Sequence, residues 1–128
     1  MVETSEGCEV VFKDVTRVIQ TKRVQMIILQ HCSFTVEKSK LTVMIGPSGC
    51  GKSTIINLIA GYEQPHRGQV LIDNASAGRP NWDRLVLFQE TALFPWLTCY
   101  ENVMFGCKCH MEMSLDEAHK LAVAMLDR

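Results

Sequence analysis

Three features of the sequence predict an α/β fold. Gly46–Thr54 reads Gly-Pro-Ser-Gly-Cys-Gly-Lys-Ser-Thr, a phosphate-binding loop set between an apolar run and an apolar helical segment. Ahead of it, two stretches alternate apolar and polar residues, the pattern of strands with one solvated face. At the other end, Ser114 to Arg128 carries the start signal and the periodicity of a helix. The expected architecture is a P-loop core of parallel strands and helices preceded by an antiparallel β subdomain, in one domain over residues 1–128.

Taken in order, Val10–Phe12 and Val24–Val36 read as the first strands, and Glu37–Lys40 as a polar turn. Leu41–Ile45 is nearly all apolar and ends directly on Gly46, as expected of a strand buried on both faces of a parallel sheet. Ser53–Ala60 reads as a helix stopped by Gly61. Gln69–Ile72 is a further strand, with Asp73-Asn74 supplying turn chemistry after it. Ala75–Asp83 is a loop, and Leu85–Phe88 is a second buried strand ending on Gln89. In the final helix Ser114 and Glu117 form a capping-box pair, and Leu115, Ala118, Ala122 and Met125 share one face. Val123–Asp127 has the outline of four apolar residues and an acid, but it continues this capped helix and is rich in Ala and Met. It is read as helix.

Composition excludes several classes. With 47% apolar and 21% charged residues in 128, the chain is ordinary globular protein, not disordered. A net charge of −1, spread over both halves, gives no nucleic-acid footprint. No apolar run approaches the roughly 20 residues of a spanning helix. Residues 1–10 hold glutamates and no basic residue, so no signal peptide is read there and a cytosolic placement is expected. Of the six cysteines, Cys8, Cys32, Cys50 and Cys99 stand singly, as reduced thiols do. Cys107-Lys108-Cys109-His110 is the one metal-like spacing, and it lacks the second ligand pair of a structural zinc site.

Each position of the loop has a physical task. Gly46, Gly49 and Gly51 let successive backbone N–H groups curl toward phosphate oxygens, and the helix opening at Lys52 adds its positive end. Lys52 is placed to reach the β- and γ-phosphates, and the Ser53 hydroxyl to ligate Mg²⁺. Pro47, Ser48, Cys50 and Thr54 complete the loop that would hold ATP. Gln89, at a strand end where α/β proteins place ligands, can offer its amide oxygen to Mg²⁺ or to water, or can simply be a loop residue.

Gly46–Thr54 followed by Ile55-Ile56-Asn57-Leu58-Ile59-Ala60-Gly61 resembles the ATPase subunit of ABC transporters. Asp83–Glu90, then Leu93–Thr98, is similar to the Q-loop of the importer ATPases for nitrate, sulfonate, taurine and related small solutes. Glu101-Asn102-Val103 and Phe105-Gly106 continue the likeness. The resemblance runs from about Val10 to the end of the sequence. It implies that Gln89 contacts Mg²⁺ and senses the γ-phosphate in catalysis. It implies too that Phe94, Pro95 and Trp96 face a transmembrane permease, and that the subunit works with a second ATPase subunit on the inner face of the membrane.

The sequence also departs from that family. A Leu-Ser-Gly-Gly-Gln signature, an apolar strand ending Asp-Glu and a switch histidine are not found in residues 1–128. Ile19 stands near where the family places an adenine-stacking aromatic, and Ser39 where it favours glycine. Competing readings are a non-catalytic nucleotide-binding or interaction module and, less well supported, a small P-loop kinase. A kinase would need arginines to clamp the transferred group, and only Arg128 follows residue 90. A guanine-reading Asn-Lys-x-Asp is missing as well.

Overall fold

The computed structural model describes residues 7–20, 24–81, 83–89, 92–109 and 113–127. They fall into two compact units, Met1–Val86 and Leu87–Arg128.

In the first unit, β1 (Val10–Gln20) and β2 (Gln25–Val36) pair antiparallel, with Phe12 opposite Phe34 and Ile19 opposite Met26. The two phenyl rings stack at 4.4 Å, the kind of cross-strand aromatic pair that fixes register. β3 (Arg67–Ile72) pairs antiparallel with the other edge of β1, and β4 (Ala75–Ser76) closes a short hairpin onto β3. The sheet order is β2-β1-β3-β4. Asp73 and Asn74, both at positive φ (46° and 67°), make the two-residue turn that suits the twist of such a hairpin. α1 (Lys52–Ala60) lays Ile55 and Leu58 on the sheet, where they join Val10, Phe12, Val15, Leu29, Val70 and Ala77 in one core.

β1 is not straight. Its pairing slips between Phe12 and Val15 against β2 and between Lys13 and Thr16 against β3, and Asp14 there adopts φ 52°, with His31 of β2 at 49°. The irregularity is held by side chains. His31 Nδ1 lies 2.6 Å from Asp14 Oδ1, and the Asp14 amide donates to Ser33 Oγ. On the opposite edge Gly68 (φ 80°) lets β3 pass so close that a Cβ would run into the carbonyl oxygens of Lys13 and Asp14.

In the second unit, α2 (Cys99–Cys109) and α3 (Leu115–Leu126) pack through Met104, Cys107, Ala118 and Ala122. α3 begins with the expected capping box, in which the Glu117 amide donates to Ser114 Oγ and Glu117 Oε2 accepts from the Ser114 amide. Val123–Leu126 is helical, as read from the sequence. α2 was not read from the sequence, although Thr98 and Glu101 bracket its first turn in the same way.

Two expectations are corrected. Leu41–Ile45 and Leu85–Phe88 are not strands in the structure, nor are they buried. Leu41 and Ile45 are each 92% exposed, and Leu85 and Leu87 88% and 89%. Their composition suits a strand flanked on both sides, but among the described residues no strand pairs with either segment. A parallel strand without a neighbour has no ladder to join. Among the described residues, no helix is long and apolar enough to cross a membrane.

Candidate functional site

The loop Gly46–Thr54 leads into α1 within the first unit. Gly51 takes φ 95° and caps α1 without any side-chain hydrogen bond, and the first turn contains no acidic residue. The opening amides of α1 are thus neither capped by a side chain nor screened by a carboxylate, which leaves an anion-binding helix start. Gly49, at φ 81°, faces open space, since a Cβ there would meet nothing within 4 Å. Gly51 is different. It is buried against β2, and a Cβ would lie 3.0 Å from Leu29 Cδ2 and 3.3 Å from Ile28 Cγ2. The base of the loop is therefore anchored on the sheet while its crown projects outward.

Lys52, the first residue of α1, turns back over the loop. Its ammonium donates to the carbonyl oxygens of Gly46 and Pro47, both at 2.7 Å, and lies 3.6 Å from Cys50 Sγ. Cys50 Sγ in turn packs so near Gly46 that a Cβ there would be only 2.7 Å from it. The Cys50 amide reaches the Pro47 carbonyl at 3.4 Å, closing a tight turn. Ser53 is exposed on the first turn of the helix and Thr54 half-buried. The ammonium has only neutral carbonyl oxygens to give up, and it stands beside a helix start whose amides carry no side-chain cap, a donor set whose chemistry suits a phosphate. The residues fit the group.

Gln89 lies in the second unit and is exposed, so the P-loop residues and Gln89 belong to different units. Glu90, the next residue of that string, lies outside the described residues, as do His110 of the cysteine–histidine spacing and Arg128. Ile19 sits near the end of β1 opposite Met26, and is 43% exposed. Ser39 adopts φ 58°, a left-handed turn conformation that glycine takes more readily.

The segment Phe94–Thr98 is shaped by a residue that the sequence reading quoted for its likeness but gave no structural task. Asn102, on α2, accepts from the Phe94 amide at 2.8 Å through Oδ1. Its Nδ2 donates to the carbonyls of Phe94, Leu97 and Thr98 at 3.2, 3.1 and 2.9 Å. Phe94 is half-buried against Phe105, with ring centroids 4.7 Å apart, while Pro95 is exposed and Trp96 is 75% exposed. Beside them a groove of about 560 Å³ runs between α2 and α3, lined by Leu97, Tyr100, Met104, Phe105, Leu115 and His119 among others.

Arg84 is a second residue that sequence reasoning missed. Its guanidinium donates to the carbonyls of Ile59, Ala77 and Arg79, tying the end of α1 to the chain after β4. Arg84 stood in the Asp83–Glu90 string without an assigned task, because its partners are backbone oxygens scattered along the chain.

The profile of the family described as ABC transporter matches residues 29–126. The bicarbonate transport ATP-binding protein CmpD of Synechococcus elongatus is 37% identical over 99 residues, covering 77% of this chain and 36% of that protein. The taurine import ATP-binding protein TauB of Burkholderia pseudomallei is 41% identical over 96 residues, covering 75% and 37% respectively. The chain thus spans little more than a third of the length of these curated relatives. Among solved structures, the dimeric post-hydrolysis state of the ATP-binding cassette MJ0796, bound to ADP and Pi, superposes with a TM-score of 0.75 at 29% identity. It covers 92% of this chain and 56% of that one.

Proposed function

The chain belongs to the ABC transporter family, and from that premise we propose that it binds ATP–Mg²⁺ on Gly46–Thr54 as the ATP-binding part of an importer for a small solute. Nitrate, sulfonate, taurine or a similar small solute is what the family resemblance implies, and relatives named for bicarbonate and taurine support a small solute. The observation that carries the reading is the Lys52 ammonium poised over a glycine-shaped turn at an uncapped helix start. Bound there, the triphosphate would meet the amides of the loop and of the first turn of α1, with Lys52 supplying charge. Ser53 and Gln89 are the residues proposed to hold Mg²⁺, with Gln89 as the γ-phosphate sensor of the catalytic cycle.

On this reading the partners are a transmembrane permease and a second ATPase subunit, with the protein peripheral on the cytoplasmic face. Phe94, Pro95 and Trp96 are the proposed permease-facing side chains. An exposed tryptophan beside a proline-stiffened turn is the kind of rigid anchor that dominates interfaces.

A second reading has its own support. Residues 1–128 contain no match to the family's signature, its Asp-Glu strand or its switch histidine. Lys52, Ser53 and Gln89 would act from one side of the phosphates, without a positioned base. On this second reading residues 1–128 act as a nucleotide-binding module, and turnover would need groups that these residues do not supply.

The test is a titration of the chain with ATP in the presence and absence of Mg²⁺, repeated with Ser53→Ala. Binding that Mg²⁺ strengthens in the wild type but not in the variant is the expected result. Mg²⁺ dependence that survives Ser53→Ala would overturn the assignment of Ser53, and no ATP binding at all would overturn the site.

A further inference from the structure

Beside the phosphate loop, the first unit carries a polar cluster that phosphate binding does not use. β3 pairs with β1 only as far as Thr16, opposite Arg67, so past that point β1 and β2 run on as a ribbon of two strands among the described residues. Such a ribbon is marginally stable by itself. Arg17 ties its start to the body of the unit. The guanidinium donates from Nε to Glu63 Oε2 at 2.8 Å and from Nη1 to the Gln64 carbonyl at 3.1 Å, and Nη1 lies 3.2 Å from His66 Nδ1. The Val18 amide donates to the same His66 nitrogen at 3.3 Å. A guanidinium and an amide can only donate, so Nδ1 carries the lone pair and the ring hydrogen sits on Nε2. Glu63 Oε1 accepts from Asn57 Nδ2 of α1 at 3.0 Å, which extends the chain of bonds into the helix that follows the loop. The Arg17 and Glu63 side chains are 22% and 25% exposed, so salt screens this pair less than one on the open surface.

The ribbon stands next to the loop. Gly51 is packed on Ile28 and Leu29 of β2, and across the ladder Leu29 pairs with Arg17 and Ile27 with Val18. Further out Ile19 pairs with Met26, and Ile19, Met26 and Ile27 are 43%, 56% and 53% exposed. A ligand whose phosphates occupy the loop thus has an apolar surface a few residues away for the part of it that is not phosphate. We propose that Arg17, Glu63 and His66 are positioning residues that hold this apolar ribbon beside the loop, and so set how much the nucleoside adds to the binding of a triphosphate. None of the three needs to touch the ligand. A ribbon already in place gives its apolar contacts in full, whereas a loose one would spend part of that gain on its own ordering.

The inference rests on the proposed binding of a triphosphate at Gly46–Thr54, and inorganic tripolyphosphate separates the two, since it offers linked phosphates without a nucleoside. The 128-residue chain is titrated by calorimetry with ATP and with tripolyphosphate, each with Mg²⁺, as wild type, Arg17→Met and His66→Ala. Arg17→Met keeps an apolar stem and loses every donor. His66 is exposed, so His66→Ala removes the shared acceptor without opening the core, and it carries the test should Arg17→Met fail to fold. The wild type is expected to bind ATP about tenfold more tightly than tripolyphosphate, from the apolar surface that the nucleoside covers. Each variant should narrow that gap to within about threefold while its affinity for tripolyphosphate stays at the wild-type value. Arg17→Lys, whose ammonium can still reach Glu63, should restore part of the gap. Three results would overturn the proposal and leave the loop assignment standing: a wild type that binds both ligands equally, a gap that survives in the variants, or a loss shared in proportion by both ligands. A wild type that binds neither ligand would overturn the loop assignment and this inference with it.

Discussion

Removing the Lys52 ammonium should weaken ATP–Mg²⁺ binding by a modest and calculable factor. In the free chain the ammonium already holds two carbonyl contacts, to Gly46 and Pro47 at 2.7 Å. Engaging a phosphate means giving these up. An ammonium about 4 Å from a phosphate charge is worth about 4 kcal/mol at an effective dielectric near 20. Each surrendered carbonyl contact costs about 1 kcal/mol, the figure for an ordinary net hydrogen bond, because Lys52 is only half-buried. The difference leaves about 2 kcal/mol, or roughly 30-fold in Kd. Lys52→Ala, titrated with ATP–Mg²⁺ at fixed ionic strength by calorimetry, should show that loss, and the gap should narrow as salt rises past the screening length of about 8 Å. Equal affinity in wild type and variant, with the fold intact, would refute the reasoning. So would a gap that does not respond to salt.

Gly68→Ala should destabilise the first unit by more than about 3 kcal/mol, because the new methyl meets two backbone carbonyls on β1 that no rotamer change can move; denaturant unfolding checks it, and a midpoint unchanged from wild type would contradict the close approach. Ser39→Gly should stabilise the same unit by about 0.5–1 kcal/mol, the left-handed penalty of φ 58° less the extra chain entropy of glycine, and a destabilised variant would count against that turn. The third prediction concerns acid. Hydrogen bonds hold two carboxyls below the ordinary glutamate range: to Glu101 from the Thr98 amide, then its hydroxyl, and to Glu117 from the Ser114 hydroxyl, then its amide. A depressed carboxyl contributes stability that is complete above its unfolded pKa and is lost as pH falls through its folded one. Helix starts at Thr98 and Ser114 should therefore fray as pH drops below the ordinary glutamate value of about 4.3. Amide exchange in the first turns of α2 and α3 measures this, and Ser114→Ala, which removes the hydroxyl but keeps the amide, should weaken the pH response of α3 and leave that of α2 unchanged.

Much of the fold was legible because its signals are local. Gly61 stops α1, Asp73-Asn74 turns the chain after β3, and Ser114 with Glu117 starts α3, each by chemistry confined to a few neighbouring residues, whereas Ala75–Ser76, read as loop, is a short strand paired with β3. The same local rule could have found α2, since Thr98 and Glu101 form the pair that Ser114 and Glu117 do. The strand readings of Leu41–Ile45 and Leu85–Phe88 failed for a different reason. An apolar run records the environment a segment suits, whereas a strand exists only where another strand accepts its hydrogen bonds. For the site, the phosphate loop is written in one contiguous string. Arg84 and Asn102 act through carbonyls and amides, which every residue possesses, and so leave no mark in side-chain chemistry.

The way Asn102 holds Phe94–Thr98 bears on how such a surface could change over generations. One amide group fixes the path of the segment from behind, through the main chain, and asks nothing of the side chains that point away from it. Trp96 and Pro95 are thus letters set in a frame that does not depend on them. Replacing them would alter the exposed face while the main-chain path stays put, so the surface proposed to meet a permease could change in single steps, each leaving the Asn102 contacts in place.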